Sequence, residues 1–419
     1  MSLSNTFNYN ALRQVNNNLR QLKLSHFAKI KIDKNFFDNH SNLKSLDLSD
    51  LISKNYEYCI DLKALANLTA LKSLNLADNN LHLGQNCEIF RLENLETLDL
   101  SLSGREKIIK RELKLNETTF ERMKNLKHLN LSGNRIEQEG NCFKHLTQLK
   151  ELDISHTFLN SNNSEDYDIL SSLKQLEKFK FDDIERNGWF QLYRLSELVN
   201  LKEIRLKLTE HDVEQYREML RSKRRPEEEV ESPDPNPTAD DLCYFIINDM
   251  TKLTRLELID CNLTYINKRV LSQMKELSFL DLNGNRIQQI PDDTFDCLSN
   301  LEEINLRENP LQKIKLNRLF LKCDKLRKVS FDDALIVDLM DEQFNFKSLA
   351  EIDCDFGESI EYFYHSRRKF FQLQHQRKVS CMDDLETELK NIELIFQRID
   401  IKINEIKSEK EKSIEQQLK

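Results

Sequence analysis

Three sets of side chains in this 419-residue chain have types and spacings that could do chemistry. The first recurs along most of the chain. Asp47, Asn75, Asp99, Asn130, Asp153, Lys180, Arg205, Glu257, Asp281 and Asn305 each stand four residues after the residue that opens an LxxLxL-like run. Ser49, Ser101, Ser132 and Ser155 follow two places later, and His128 and His156 lie beside them. Serine, histidine and aspartate are the parts of a nucleophilic hydrolase, but that chemistry also needs a water-excluding elbow and donors aimed at an oxyanion. Positions repeated along a strand surface supply neither, so the chain is expected not to be an enzyme. The set reads instead as a polar recognition surface, acidic at both ends with a basic step at Lys180, Arg205 and Lys207. The bland reading, a solvated strand face without a ligand, stands beside it.

The second set is the nine cysteines. They form no CxxC pair and no Cys/His zinc spacing, so no metal is expected. No cofactor is expected either: the chain has 7 Gly and 6 Pro, against roughly 29 and 21 at average usage, and the glycine-rich loops that bring backbone onto phosphate do not occur. Cys59 and Cys87 each lie sixteen residues after the leucine opening their own run, and Cys297 and Cys323 fall near the ends of adjacent repeats. Each pair is read either as a disulfide or as two buried thiols. The third set is Arg221, Ser222, Lys223 and Arg224, an R-x-K-R sequence of the kind cut by furin-type proprotein convertases. A solvated charge run and a nuclear-localisation signal are the alternatives.

The elements that position these residues follow from internal repetition. LxxLxL-like runs begin at Leu19, Leu43, Leu71, Leu95, Leu126, Leu149, Leu176, Leu201, Leu253, Leu277, Leu301 and Leu326, with a weak copy at Leu349. Most steps are 23 to 28 residues; one is 31 and one 52. LxL is a period-2 strand whose leucines point one way, and a single copy cannot bury them, so the copies must stack as a parallel sheet. Eight residues after the opening leucine stand Asn79, Asn134, Asn285 and Asn309, with Cys261 in one copy, most naturally as a reduced thiol. A buried amide or thiol there can bond the backbone of the adjacent turn.

On these motifs residues 19–356 resemble the leucine-rich repeat family. Phe37, Phe120, Phe143, Phe295 and Phe320 each precede the next opening leucine by six residues, and Phe90 and Phe344 by five. Such endings are similar to the typical repeats of Toll-like receptor ectodomains and other extracellular proteins. The resemblance implies an α/β leucine-rich repeat solenoid, a curved parallel sheet, and a secretory origin. Against that origin, the N-terminus has no hydrophobic leader, so the chain as written would begin in the cytosol.

Four regions are expected: an N-terminal edge over residues 1–18, repeats over 19–356 with an insertion at about 209–245, a C-terminal cap over 357–381, and a helix over 382–419. The insertion holds four of the six prolines and reads as a helical HDVEQYREML followed by a disordered loop. Cys354 and Cys381 bracket the cap, which resembles a reduced form of the four-cysteine cap of extracellular members, implying a Cys354–Cys381 bridge; Cys381 could alternatively link two chains. In the helix, Met382, Leu385, Leu389, Ile392, Phe396, Ile399, Ile403 and Ile406 alternate by three and four, the spacing of a coiled-coil core. A parallel homodimer would oppose Glu388 to Glu393 and Lys402 to Lys407, so a different partner chain or an antiparallel pairing is expected; a helix folded back on the repeats is the alternative.

The net charge of −9, from 62 basic and 71 acidic residues, disfavours a general nucleic-acid ligand. No apolar run is long enough for a membrane span. The expected function is recognition of a protein ligand by the repeats, with assembly through the coiled coil. The order of repeats, cap and coil is similar to insect leucine-rich immune proteins, which implies innate immunity; a cytosolic adaptor or scaffold is the second hypothesis.

Overall fold

The computed structural model describes residues 18–25, 31–51, 60–79, 81, 83, 87–102, 112–161, 169–181, 185–186, 192–208, 238–311, 313–314, 316–332, 335–336 and 351–355. The chain divides into two compact units, Met1–Cys261 and Asn262–Lys419. In the first, β1 (Gln21–Lys23), β2 (Ser45–Asp47), β3 (Ser73–Asn75), β4 (Thr97–Asp99), β6 (His128–Asn130), β8 (Glu151–Asp153), β10 (Lys178–Phe181), β12 (Glu203–Leu206) and β13 (Arg255–Leu258) pair in that order, all parallel. In the second, β14 (Phe279–Asp281), β15 (Glu303–Asn305), β17 (Lys328–Asp332) and β19 (Glu351–Asp355) pair likewise, and the short β16 (Lys313–Ile314) and β18 (Leu335–Ile336) pair with each other.

The register is the repeat itself. Leu22, Leu46, Leu74, Leu98, Leu129, Leu152, Phe179, Ile204 and Leu256 are consecutive partners across the first unit. From Leu46 onward all are at most 2% exposed, as are Leu280 and Ile304 in the second. The phenylalanine endings form a second spine: the Phe90 and Phe120 rings stand 5.4 Å apart, Phe120 and Phe143 6.0 Å, and, in the second unit, Phe295 and Phe320 5.2 Å. Opposite the main sheet, β5 (Glu112–Asn116), β7 (Arg135–Glu139), β9 (Phe158–Ser161) and β11 (Glu185–Arg186) make a four-stranded parallel sheet. Buried Leu113, Leu115 and Ile136 supply its inward side.

The doubled step from Leu201 to Leu253 encloses no hidden repeat, because β12 pairs directly with β13, Glu203 to Arg255. The insertion is shorter than expected at its end. Thr238 caps a helix over Ala239–Ile247, its hydroxyl accepting from the Asp241 N–H while the Asp241 carboxylate accepts from the Thr238 N–H, a reciprocal capping box. Leu242, Cys243, Ile246 and Ile247 of this helix are buried. The acidic TADD stretch read as the end of a loop is therefore a helix start, fixed by the apolar turn that follows it. The edge over 1–17, HDVEQYREML, Arg221–Arg224, the cap over 357–381 and the coiled-coil positions from Met382 to Ile406 lie outside the described residues.

Of the nine described residues that stand three places past a polar candidate position, seven are left-handed, Leu102 and Leu208 being the exceptions. Asp50, Asp78, His156, Asp260 and Glu308 have φ between 50° and 56°, and Gly133 and Gly284 have φ of 70°. Glycine is the residue suited to that conformation, yet five of these seven turns use another. The scarcity of glycine thus coexists with turns that call for it.

Candidate recognition site

The strands place two outward rows on the first unit's main sheet. One row runs Ser45, Ser73, Thr97, His128, Glu151, Lys178, Glu203 and Arg255, all half-buried. The other runs Lys23, Asp47, Asn75, Asp99, Asn130, Asp153, Lys180, Arg205 and Glu257 in continuous register. The candidate residues of this unit are therefore brought together as one column, extended by Lys23. In the second unit Asp281 and Asn305 are partners, and Ser330 and Asp353 continue the row.

The hydrogen bonds explain why aspartate and asparagine recur there. The Oδ1 atoms of Asp47, Asn75, Asp99, Asn130 and Asp153 accept from the N–H two residues on, at 2.9 to 3.1 Å. Asp281 and Asn305 do the same in the second unit. These are Asx turns that end the strand. Their residue type is dictated by the turn before any ligand is considered. The serines complete the same motif: Ser49, Ser101 and Ser132 donate to the Oδ1 of Asp47, Asp99 and Asn130 at 2.6 to 2.8 Å. A serine engaged in this way is not activated by histidine, and His128 instead pairs through Nδ1 with Glu151 at 2.9 Å. His128 and Ser49, Ser101 and Ser132 thus have partners other than one another.

The basic step is neutralised from within. Lys180 pairs with Asp153 at 3.4 Å, Arg205 with Glu257 at 3.7 Å and Lys207 with Asp260 at 3.1 Å. Arg255 Nε adds a 2.5 Å contact to Glu257. In the neighbouring row Lys178 bridges Glu151 and Glu203 at 3.5 and 3.1 Å, which holds its ammonium above its ordinary range, with the Glu203 hydrogen bond the leading cause. The face thus has two halves. From Glu151 to Glu257 it is a lattice of long paired charges; from Ser45 to Asn130 it carries short hydroxyls, amides and carboxylates, with the His128 imidazole at the border, paired to Glu151. At that second end burial would raise the Asp47 carboxyl, but the Ser49 hydrogen bonds and Lys23, 2.9 Å away, outweigh it and hold it below its usual 3.8.

Two supporting rows lie beside the face. Glu96 accepts from Lys72 and Lys127 at 2.5 and 2.7 Å, and Glu177 from Lys150 and Lys202 at 2.9 and 2.7 Å. The paired ammoniums lower the Glu96 carboxyl from 4.5 to about 2, Lys127 first, and the Glu177 carboxyl likewise to about 2, Lys202 first. Asn94, Asn125 and Asn200, each just before an opening leucine, donate to the Thr69, Glu93 and Lys174 carbonyls at 2.9 to 3.0 Å, and Asn300 to Lys275 at 2.8 Å in the second unit. This exposed asparagine ladder escapes a search for buried positions; the signal is the recurring Asn-Leu pair.

The buried ladder behaves as its spacing implies. Asn79 Nδ2 donates to Leu48 O at 2.7 Å and Leu76 O at 3.1 Å while its Oδ1 accepts from Leu51 N at 2.9 Å. Asn134 and Asn309 likewise donate to the preceding repeat, at Leu100 O and Leu282 O, and Asn285 and Asn309 accept from the Leu263 and Ile287 N–H groups. Cys261, a free thiol, donates to Leu206 O at 3.4 Å and Ile259 O at 3.5 Å, and Thr157 Oγ1 fills the same position by donating to Ile154 O at 2.7 Å.

Of the two readings of the cysteines, the described thiols match the free one at Cys297 and Cys323. Cys297 and Cys323 are both free; Cys323 occupies the place three residues before the opening leucine that most other repeats give to leucine or methionine, and its thiol donates to Phe295 O at 3.3 Å. Burial pushes that thiol up to about 12. Cys87 is a free buried thiol, raised by burial to about 11; Cys59, its match by position in the repeat, lies outside the described residues. Cys354 stands in β19, while Cys381 lies outside the described residues. Among the described residues no three His, Cys, Asp or Glu side chains are grouped to hold a metal ion, and no helix is long and apolar enough to cross a membrane.

Comparison with known proteins agrees with this architecture. Residues 111–159, 251–311 and 280–336 match the leucine rich repeat family, and residues 4–96 match the BspA type leucine rich repeat region of 6 copies. The chain belongs to the leucine-rich repeat family. It is 24% identical over 322 residues to the CD180 antigen of Mus musculus, covering 74% of this chain and 43% of that protein. It is 23% identical over 359 residues to an adenylate cyclase of Schizosaccharomyces pombe, covering 71% of this chain and 20% of that one. The chain thus spans less than half the length of these curated relatives. The crystal structure of an internalin from Listeria monocytogenes superposes with a TM-score of 0.51 at 16% identity, over 81% of this chain and 87% of that one. That likeness is one of fold.

Proposed function

We propose that the chain recognises a protein ligand on the outward rows of the first unit's main sheet, centred on Ser45, Ser73, Thr97, Asn75, Asp99 and Asn130. The observation that carries this reading is the division of the face. A partner docking over Glu151 to Glu257 would have to desolvate or break existing ion pairs, whereas the Ser45 to Asn130 half offers short polar groups on a buried leucine row at small cost. The surface is open and Ser49, Ser101 and Ser132 are spent on turns, so binding is the activity it supports. Assembly through Met382 to Ile406 and an innate-immune setting belong to the same proposal; they rest on heptad spacing and on repeat type.

A second reading, an adaptor in a reducing compartment, is favoured by one observation: Cys87, Cys142, Cys243, Cys261, Cys297 and Cys323 are all free. Thiol titration of the protein from its native source separates the two, with about nine free thiols expected for the adaptor and few for a secreted protein. The recognition reading itself is tested by recovering bound proteins from native extract with wild type, with Asn75→Arg, and with Lys114→Glu on the opposite sheet. Specific partners lost with Asn75→Arg and kept with Lys114→Glu support it; equal recovery by all three overturns it.

A further inference from the structure

One carboxylate on the two outward rows of the first unit is placed unlike the other charges there. Lys23 pairs with Asp47, Lys178 with Glu151 and Glu203, Lys180 with Asp153, and Arg205 and Arg255 with Glu257, at 2.5 to 3.7 Å. Asp99 has no cation among the described residues. The local construction is shared: in Asp47, Asp99 and Asp153 alike, Oδ1 accepts from the N–H two residues on. At Asp47 and Asp153 the Oδ2 then takes a lysine from the neighbouring strand, Lys23 or Lys180. The row neighbours of Asp99 are instead Asn75 and Asn130, and its Oδ2 meets the Asn130 Nδ2 at 3.4 Å. Ser73 and Thr97, half-buried in the adjoining row, carry no side-chain hydrogen bond among the described residues.

We propose, resting on the recognition reading above, that Asp99 anchors the protein ligand by taking one of its basic side chains, Lys or Arg, with the Ser73 and Thr97 hydroxyls and the Asn75 amide receiving the remaining donors. A partner that covered this half without bringing a cation would strand a carboxylate away from water. The ligand's ammonium or guanidinium does for Asp99 what Lys23 does for Asp47 and Lys180 for Asp153. Neighbouring strands stand about 4.8 Å apart, so a side chain entering over β4 reaches Asn75 and Thr97 as well as Asp99. The same place repels an acidic residue, and the flanking serines, threonine and asparagines offer a further ligand charge nothing to pair with. The segment that docks here is therefore basic at one position and uncharged around it.

The probe is a phage-displayed random dodecapeptide library selected on the full chain, with the enriched sequences remade as free peptides. The deciding variant is Asp99→Asn, which keeps the Oδ1 acceptor of the turn and introduces the amide that the chain itself uses there at Asn75 and Asn130. Enriched peptides should share one Lys or Arg among uncharged neighbours. Asp99→Asn should weaken their binding about tenfold. Replacing the shared basic residue of the peptide by Gln should do the same, and both changes together should cost no more than either alone. Binding to wild type should weaken as NaCl rises from about 50 to about 500 mM, while the residual binding of Asp99→Asn stays flat. Enriched peptides without a shared basic residue, binding unmoved by Asp99→Asn, or a selection that yields no binder each overturn the proposal. When Asp99→Asn leaves binding unmoved, the recognition reading survives if Asn75→Arg abolishes it and falls as well if Asn75→Arg does not.

Discussion

Replacing Asn79 by alanine tests whether the repeats are held by side-chain bonds to backbone. The substitution strips the donor from the Leu48 and Leu76 carbonyls and the acceptor from the Leu51 N–H, and Asn79 is 2% exposed. A buried polar group left without its partner costs about 1–3 kcal/mol. Three such groups give about 3–5 kcal/mol, once partial entry of water into the vacated space is allowed for. Asn94→Ala is the control, since it removes one bond, to Thr69 O at 2.9 Å, at an exposed site where water can replace it; the cost there is below about 1 kcal/mol. Urea unfolding followed by circular dichroism reads both, provided the slope m is unchanged. An Asn79→Ala cost no greater than that of Asn94→Ala would refute the reasoning, because burial and the number of backbone bonds both set Asn79 above Asn94.

Three further outcomes follow from the geometry. Gly133→Ala should destabilise by at least about 2 kcal/mol, since φ is 70° and the new Cβ would stand 1.9 Å from Leu102 O; a melting curve unchanged from wild type contradicts this. Glu308→Gly should stabilise by roughly 0.5 kcal/mol, as glycine relieves the left-handed φ of 54° at a cost in chain entropy; loss of stability would show that the Glu308 side chain matters more than its backbone. Glu96 and Glu177 have folded-state carboxyls lowered from 4.5 to about 2, so their contribution is present above about 4.5 and disappears as pH falls toward 2. Acid unfolding of Glu96→Gln/Glu177→Gln should accordingly show a shallower pH dependence between those values, with the difference shrinking at high salt.

The fold was legible because its period is dictated by burial. A leucine at each LxL position has nowhere to go but a stacked sheet, and the asparagine eight places on has few other backbone partners. The candidate column was legible in position but not in meaning: the same spacing that located Asp47, Asn75 and Asp99 could not distinguish a ligand contact from an Asx turn. Lys180, Arg205 and Lys207 looked like a basic step because their partners Asp153, Glu257 and Asp260 come from other rows or other repeats, and cross-strand pairing is set by register. The Thr238 helix start was hidden by the proline-rich stretch before it, although Thr-x-x-Asp ahead of an apolar run carries the capping signal. Five non-glycine residues at positive φ have no sequence signature of their own, since nothing local forbids an aspartate or histidine there until the turn is drawn.

The central claim is that ligand contact falls on the Ser45 to Asn130 half of the main sheet. Photo-cross-linking measures it most directly: a benzophenone amino acid placed in turn at Thr97, at Glu203 and at Glu137 on the opposite sheet, exposed to native extract, irradiated and read by mass spectrometry. The account predicts a specific protein adduct from Thr97, a weaker one from Glu203 and none from Glu137. Adducts from Glu137 with none from Thr97 would contradict it.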